Sequence, residues 1–139
     1  MPRLLGLDIG EKRIGVALSD ESQLLARPLT AITRAAKRAD FETIGKLIAE
    51  HGVERVIAGL PRTRRGEEGL QAWRVRRYVE ALAAAIGVPI VFQDERYTSL
   101  EAEERLAVRR KPRLKGDIDA AAAAIILQDY LNQKLNADG

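Results

Sequence analysis

Short apolar runs near the start of the chain predict β-strands joined by tight turns. Residues 4–10 and 14–18 each form such a run, and the interval between them is hairpin-sized and opens on Gly10. Residues 24–32 predict a third strand. Pro28 places it at a sheet edge, because proline cannot donate a hydrogen bond to a neighbouring strand. The start of the chain therefore predicts an antiparallel meander.

The pattern then alternates between helical spacing and continuous apolar runs. Apolar residues recur every three or four positions over residues 41–48 and 75–86, which predicts two helices, each followed by a glycine that ends it. The runs at 53–60 and 88–92 predict strands that are buried on both faces, the second continuing to Glu95. Helices between buried strands are typical of parallel β-α-β units.

The last third of the chain predicts two further helices. Thr98 has capping-box spacing to Glu101 before a short helix through residue 108, and a final helix is expected over residues 119–135. The complete order predicts an α/β fold with a mixed five-stranded central sheet. Three antiparallel strands are followed by parallel β-α-β units, with helices on both faces. A length of 139 residues fits one domain spanning 1–139.

Composition narrows the chemistry that the chain can perform. It contains no cysteine, which excludes disulfides, thiolate metal sites and thiol nucleophiles. No apolar run approaches the ~20 residues of a membrane span, and the first residues lead directly into a strand, so we expect no membrane association and a cytoplasmic protein. Aromatic residues make up only 4%, which argues against base stacking as the main binding mode. We expect Trp73 and Tyr78 to be core or half-buried residues.

The net charge of +3 is modest, but the cations are clustered. Residues 62–77 contain six arginines and two glutamates, and residues 105–115 contain six basic residues and no acid. Two basic segments on an acidic remainder indicate a surface for a polyanion such as nucleic acid. They are equally typical of two solvated faces, so charge alone leaves both interpretations open.

Three carboxylates lie at the ends of predicted elements, where a site can be assembled. Asp8 is near the end of the first strand, Glu95 ends the last strand, and Asp119 opens the final helix on its small, apolar face. Asp117 lies on a different face of that helix and is predicted to be its N-cap. The alternative is that Asp8 and Glu95 are turn residues and Asp119 is a favourable charge at a helix start.

A cluster of carboxylates is unfavourable without cations, because like charges raise one another's pKa values. Oxygen ligands alone suit Mg²⁺ or Mn²⁺ rather than zinc. Two such ions, about 3.5–4 Å apart, can activate a water and neutralise the leaving oxygen in phosphodiester hydrolysis. Asp8, Glu95 and Asp119 are therefore candidate metal ligands and catalytic residues.

Three ordered blocks of sequence carry a family resemblance. The first is Leu5–Gly10 with Arg13–Ala17, the second is Gly59–Pro61, and the third is Asp94–Ser99 with Asp117–Asp119 before an alanine-rich helix. Each block is weak alone, but together, in this order and spacing, they are specific and span nearly the whole chain. The chain resembles the YqgF/RuvX family, bacterial proteins described as Holliday-junction resolvases and as nucleases acting on the 5′ end of pre-16S ribosomal RNA.

The resemblance implies a ribonuclease H-like fold and a metal-dependent site. The family's acidic triad maps onto Asp8, Glu95 and Asp119. By analogy, Asp8 bridges two metal ions, Glu95 holds one, and Asp119 holds the other or orients the attacking water. Hydrolysis is expected to leave a 5′-phosphate and a 3′-hydroxyl. One departure is the basic segment 63–66, where many relatives carry an Asp or Asn before the glycine, and it leaves the substrate preference of this loop open.

Basic residues near these blocks are candidate phosphate contacts. Such contacts position a nucleic-acid backbone without reading bases, so we expect structure-selective binding that weakens steeply as salt rises. Thr98 is also a candidate, although its spacing equally fits a helix cap. The complete set of candidate nucleic-acid contacts is Lys12, Arg13, Arg62, Arg64, Arg65, Arg96, Thr98, Arg109, Arg110, Lys111, Arg113 and Lys115.

The leading interpretation is a metal-dependent nuclease acting on structured RNA or branched DNA, with Mg²⁺ or Mn²⁺ as cofactor. Junction resolution requires a homodimer, because two symmetrical strands are cut, whereas RNA processing does not. The alternative is a non-catalytic nucleic-acid-binding module with the same fold. A third interpretation, an actin-like ATPase or sugar kinase, starts from the Asp8-Ile9-Gly10 turn but requires two such domains, which 139 residues cannot supply.

Overall fold

The structure is a computed structural model that describes residues 2–62, 68–95 and 115–138. The strands within these ranges are β1 (Arg3–Ile9), β2 (Arg13–Ser19), β3 (Ala26–Thr33), β4 (Val53–Pro61) and β5 (Ile90–Glu95). The helices are α1 (Lys37–His51), α2 (Leu70–Ala85) and α3 (Lys115–Asp138). No helix among the described residues is both long enough and apolar enough to cross a membrane.

The five strands form one mixed sheet in the order β3-β2-β1-β4-β5. β1 pairs antiparallel with β2, which pairs antiparallel with β3, and β1-β4 and β4-β5 are parallel. The predicted meander, the parallel β-α-β units and the edge position of β3 are therefore confirmed. In this arrangement the carboxyl ends of β1, β4 and β5 lie at the same end of the sheet.

Side chains alternate between the two faces of the sheet. One face, here called the α1/α2 face, carries Leu5, Leu7 and Ile9 of β1 and packs against the apolar sides of α1 and α2. Tyr78 of α2 is buried there, in an edge-to-face contact with Phe41 at 5.3 Å between ring centroids. The Tyr78 hydroxyl donates a hydrogen bond to the buried Asp40, at 3.2 Å. Bulky side chains therefore fill this face.

The opposite face, here called the α3 face, is built from smaller residues. Leu4, Ala17 and Ile57 pack there against Ala123 and the aliphatic side chains that follow it on α3. The strands also present three glycines towards α3, which meet its backbone or its side chains: Gly6, Gly15 and Gly59. A Cβ atom at Gly6 would lie only 2.9 Å from the Leu127 Cβ. The helix therefore lies closer to the sheet than side chains would allow.

The start of the outer edge of β3 is covered by a side chain from α3. The Gln128 Oε1 accepts a hydrogen bond from the Ala26 backbone N–H, and its Nε2 donates to the Leu24 carbonyl, both at 2.9 Å. Pro28 lies further along the same strand. The side-chain amide of Gln128 thus takes the position that a neighbouring strand would occupy.

Two local predictions are wrong. The final helix begins at Lys115 rather than at Asp119, so Asp117 lies within its first turn instead of preceding it as an N-cap. Trp73 is 56% exposed on α2, because its position faces away from the sheet, whereas Tyr78 is buried as expected. The predicted helix over residues 98–108 lies outside the described residues.

Candidate active site

Asp8 lies on the α3 face near the end of β1. Its neighbours Leu7 and Ile9 are buried on the α1/α2 face, so strand alternation turns the Asp8 carboxylate towards α3. The residue lies opposite Gly15 of β2 and is partly buried. An ionisable group is therefore held between a sheet and a helix, at the end of the sheet where the parallel strands terminate.

Glu95 reaches the same place from the last residue of β5. It pairs with Pro61, two positions beyond Gly59 on β4, so its side chain runs back over Gly59 towards Asp8. The two carboxyl groups are hydrogen-bonded to each other. A Cβ atom at Gly59 would lie 2.4 Å from the Glu95 Oε2, so this path exists only because residue 59 has no side chain.

Asp119 is brought in by the close approach of α3 to β2. A Cβ atom at Gly15 would lie 1.9 Å from the Asp119 carbonyl oxygen, so the helix backbone rests directly on the strand backbone. The Asp119 side chain accepts a hydrogen bond from Arg13 Nε, at 2.5 Å from its Oδ2. The structure therefore places all three predicted acids on one face of the sheet, with Arg13 holding the third.

The electrostatics of the site favour the protonated forms of Asp8 and Glu95. Burial, and then the negative charge of Asp119, raise the pKa of Asp8 to about 6. Burial, and then the charge of Asp8, raise the pKa of Glu95 to about 8, and the hydrogen bond that Glu95 donates to Asp8 acts in the same direction. At neutral pH, Glu95 therefore keeps a proton that it shares with Asp8. This is the pattern of two carboxyls that cannot both ionise without a cation.

The oxygen atoms of these carboxyl groups are ligands that suit a hard divalent cation. Asp8 and Glu95 supply oxygen ligands, and a cation would relieve the repulsion that now retains their proton. Asp119 is instead paired with Arg13. Within ranges 2–62, 68–95 and 115–138, no three acidic or histidine side chains are already grouped as a metal site. Two carboxyls are thus in place, and the third is held beside them by an arginine.

Three of the candidate nucleic-acid contacts have described side chains. Lys12 is exposed in the β1-β2 turn, and Arg13 is bound to Asp119. Arg62 follows β4 and is paired with Asp94 at 3.0 Å and with Glu68 at 3.5 Å. Lys115 opens α3. The other candidates lie outside the described residues: Arg64, Arg65, Arg96, Thr98, Arg109, Arg110, Lys111 and Arg113.

Sequence reasoning did not identify the residues that position the acids. Gly15 lies about a hundred positions from Asp119 in the sequence, and Gly59 lies 36 positions from Glu95. The role of each glycine depends on strand order and helix placement. The sequence predicts Arg13 as a phosphate contact, and no neighbouring residue indicates that it binds Asp119 across the sheet–helix interface. The only available signal was that glycines recur within apolar strand segments, which is typical of close backbone approach.

Comparison with known proteins gives matches over nearly the whole chain. A family model described as "RuvX: Holliday junction resolvase" matches residues 2–133. A protein of Chloroflexus aggregans named "Putative pre-16S rRNA nuclease" is 49% identical over 135 residues, which cover 96% of this chain and 95% of that protein. A protein of the same name from Thermoanaerobacter pseudethanolicus is 44% identical over 138 residues, covering 96% and 99%.

Solved structures show the same architecture at low sequence identity. T. thermophilus RuvC in complex with a Holliday junction substrate superposes with a TM-score of 0.61 at 20% identity, covering 96% of both chains. The Fowlpox virus resolvase, in complex with Holliday junction DNA, gives a TM-score of 0.56 at 11% identity, covering 96% of this chain and 99% of that one. These likenesses confirm the predicted ribonuclease H-like fold class.

Proposed function

The chain belongs to the RuvX family, and on that premise we propose that it is a metal-dependent nuclease that processes the 5′ end of pre-16S ribosomal RNA. The observation that carries the proposal is the hydrogen-bonded pair of Asp8 and Glu95, set against Asp119 on the glycine-lined face of the sheet. The choice of RNA rests on relatives at 44% and 49% identity that carry that name. On this proposal the chain acts as a single domain in the bacterial cytoplasm, where the precursor is made.

In the proposed mechanism, Asp8, Glu95 and Asp119 would hold Mg²⁺ or Mn²⁺. When bound, such ions would supply an activated water and neutralise charge at the leaving oxygen. Glu95 shares a proton with Asp8 and would have to give it up to serve as a ligand, and Arg13 keeps Asp119 in place beside Asp8. The products are a 5′-phosphate and a 3′-hydroxyl. The basic candidates position the backbone through phosphate contacts rather than by reading bases.

The second candidate function is Holliday-junction resolution, which the description of the matching family favours. It uses the same acids and requires two copies of the chain, since two strands are cut symmetrically. A homodimer in the presence of junction DNA therefore belongs to this second function. A monomer that cleaves precursor RNA belongs to the first.

Cleavage of a labelled substrate panel tests the proposal. The panel contains a precursor-rRNA fragment, single-stranded RNA, duplex DNA and a four-way DNA junction, each with Mg²⁺, with Mn²⁺ and with chelator. Asp8→Asn is the test variant. Asp94→Asn is the matched control, because Asp94 is the neighbour of Glu95 on β5 and is paired with Arg62 outside the acid cluster.

We expect metal-dependent cleavage of the precursor fragment that Asp8→Asn lowers at least about a thousandfold. Asp94→Asn is expected to change the rate by less than about tenfold. Preference for the four-way junction would replace the first function with the second. Binding without cleavage, equal in the wild type and Asp8→Asn, would overturn both and favour the non-catalytic binding module.

A further inference from the structure

A cationic site lies across the sheet from the acids. A cavity of about 260 Å³ opens on the α1/α2 face, where β1 ends and α2 passes over it. Ile9 lines it, and Asp8 precedes Ile9 on the strand but faces the opposite side of the sheet. The cavity and the acids therefore lie on the two sides of the same sheet end, separated by the thickness of one strand.

The cavity is rich in cations that the fold holds in place. Among the described residues, four basic side chains and one acidic side chain line it, and that acid, Glu11, is paired with Arg74 at 3.3 Å. Arg34 donates a hydrogen bond to the Gly10 carbonyl at 2.7 Å, and its guanidinium lies over the Tyr78 ring at 4.5 Å. Arg34 is therefore oriented in advance, which lowers the entropy cost of binding an anion.

Two further cations have no acidic partner in the part of the chain that the structure describes. Lys37 and Arg77 take part in none of the ion pairs among the described residues. Lys37 is also the first residue of α1, so the positive end of the helix dipole adds to its charge. The site thus carries an excess of positive charge that a phosphate group would neutralise.

The cavity also presents an aromatic surface. Trp73 lies on its rim and is 56% exposed, and the Arg77 guanidinium packs against the indole at 5.2 Å from the ring centroid. An indole and a guanidinium are the groups on which unpaired bases stack. The volume lies below the ~300–1,000 Å³ of pockets for drug-sized ligands, so the site suits one base with its phosphates.

We propose that this cavity binds an unpaired nucleotide of the substrate strand, with its base on Trp73 and its phosphates among Arg34, Lys37 and Arg77. The strand then passes over the sheet end from the acids to the α1/α2 face. This inference rests on the proposed nuclease function. It adds a structural preference, because a base held in a duplex cannot reach the indole, so the favoured substrates have a single-stranded tail next to the cleaved bond.

Trp73 is the chain's one tryptophan, so its fluorescence reports on this site alone. The experiment uses the full chain carrying Asp8→Asn, so that bound substrate stays intact, at about 0.15 M salt, where charges more than about 8 Å away are screened. The ligands are a blunt duplex and the same duplex with a single-stranded tail, each made as RNA and as DNA. Binding is measured in parallel by anisotropy of a labelled strand.

We expect the tailed duplexes to quench Trp73 emission and the blunt ones to leave it unchanged. The double variant Lys37→Ala/Arg77→Ala is expected to raise the Kd for the tailed duplex on the order of tenfold. The matched control Arg27→Ala/Lys46→Ala removes the same charge at exposed positions outside the cavity and is expected to change the Kd less than twofold. RNA that quenches at lower concentration than DNA would identify RNA as the preferred tail.

Two substitutions at residue 73 separate stacking from charge. Trp73→Ala is expected to weaken binding of the tailed duplex about tenfold, and Trp73→Phe, which keeps an aromatic face, to recover most of that loss. Since the side chain is exposed, neither change is expected to lower the melting temperature appreciably. If the melting temperatures differ, the variants are compared at temperatures where circular dichroism shows the same folded fraction.

The inference is overturned if the tailed duplex saturates the protein without changing Trp73 emission, or if the cavity variant weakens binding no more than the control. Failure of the proposed function reads differently. If tailed duplexes quench Trp73 emission of the wild-type chain but no substrate is cleaved, the cavity proposal holds and the nuclease proposal is overturned. If blunt and tailed substrates are cleaved equally and Trp73 emission does not change, the nuclease proposal holds and the cavity proposal is overturned.

Discussion

The two faces of the sheet hold their helices by different means. On the α1/α2 face, aliphatic and aromatic side chains fill the space, and Phe41, Ile44 and Tyr78 belong to one apolar cluster with residues of the strands. On the α3 face, the helix rests on glycines, and Gly15 touches the backbone of Asp119 itself. The first arrangement adapts to substitution by repacking, because side chains have alternative rotamers. At Gly15 the second leaves nothing to repack, because the neighbouring atoms belong to the helix backbone.

This difference explains why the three acids all lie on the α3 face. A functional constellation needs its groups held within a fraction of an ångström, and backbone-to-backbone contact provides that better than side-chain packing. Glycine there also leaves room for the Glu95 carboxyl to cross β4. The α1/α2 face, by contrast, contributes stability and a separate cationic cavity. Glycine and acid substitutions on the two faces test this division.

Gly15→Ala is expected to have the largest effect on stability. Its Cβ would lie 1.9 Å from the Asp119 carbonyl oxygen, so α3 must move away from β2. We expect unfolding free energy to fall by about 3 kcal/mol, as for severe overpacking. We expect activity to fall about a hundredfold, since a displacement near 1 Å misaligns a catalytic group. Urea unfolding and cleavage rates measure the two effects, and a variant as stable and active as the wild type would show that α3 is not held by this contact.

Asp8→Asn comes next, and the loss of this charged side chain is expected to raise the free energy of unfolding at high pH. In metal-free protein the folded pKa values of Asp8 and Glu95 lie above their unfolded values near 4, so the native state binds more protons between about pH 4 and 8. The stability of the wild type therefore falls as pH rises through this window. We expect Asp8→Asn to be more stable than the wild type by about 2 kcal/mol at pH 8.5 and equally stable near pH 4.

Urea unfolding with chelator at both pH values checks this expectation. Comparing the two proteins at each pH cancels the titration of the other carboxylates. Addition of Mg²⁺ or Mn²⁺ should reduce the difference at pH 8.5, because a cation stabilises the ionised pair only in the wild type. Parallel pH profiles for the two proteins would contradict the raised pKa values.

Gly59→Ala is expected to separate activity from stability. Its Cβ would meet the Glu95 Oε2 and the Ile126 Cδ1, which are both ends of flexible side chains and can move. We expect a loss of about 1 kcal/mol in unfolding free energy, with a larger proportional loss of cleavage, about ten- to a hundredfold, as Glu95 is turned from Asp8. If the rise in activation free energy equals the fall in unfolding free energy, the passage of the Glu95 carboxyl over residue 59 has no role in catalysis beyond stability.

Gly45→Ala is the smallest change and the control for the others. Gly45 lies inside α1, and apart from the backbone of its own helix and its two chain neighbours no heavy atom of the described residues lies within 4 Å of the place where a Cβ would be. Alanine is the better helix former, so we expect a gain of about 0.5–1 kcal/mol with unchanged cleavage. Thermal unfolding measures it. A loss of stability here would mean that the α1/α2 face is as intolerant of added atoms as the α3 face.

Most of the fold could be predicted from local pattern. The hairpin from Gly10, the edge strand marked by Pro28 and the helix ending at Gly52 follow from turn and cap chemistry within a few residues. Gly52 adopts the left-handed conformation, and its N–H bonds the Ile48 carbonyl, as expected of a helix end. These features are local, and short segments carry enough information to specify them.

The parts that could not be predicted depend on long-range placement. The convergence of Asp8 and Glu95 was expected from strand ends, but the need for Gly59 between them follows only from the order of β1, β4 and β5. Arg13 binds Asp119 across 106 positions. The exposure of Trp73, predicted to be a core or half-buried residue, could not be foreseen, because the phase of α2 about its axis depends on what the sheet offers to bury.

Gln128 at the β3 edge affects how readily the protein aggregates at high concentration. An open strand edge is a template on which another chain can add, and such pairing leads to aggregation. Because Gln128 already bonds the Ala26 N–H and the Leu24 carbonyl, an incoming strand would have to displace it from both groups. Gln128→Ala is thus expected to leave the rate of cleavage unchanged and to make the protein more prone to aggregate during refolding.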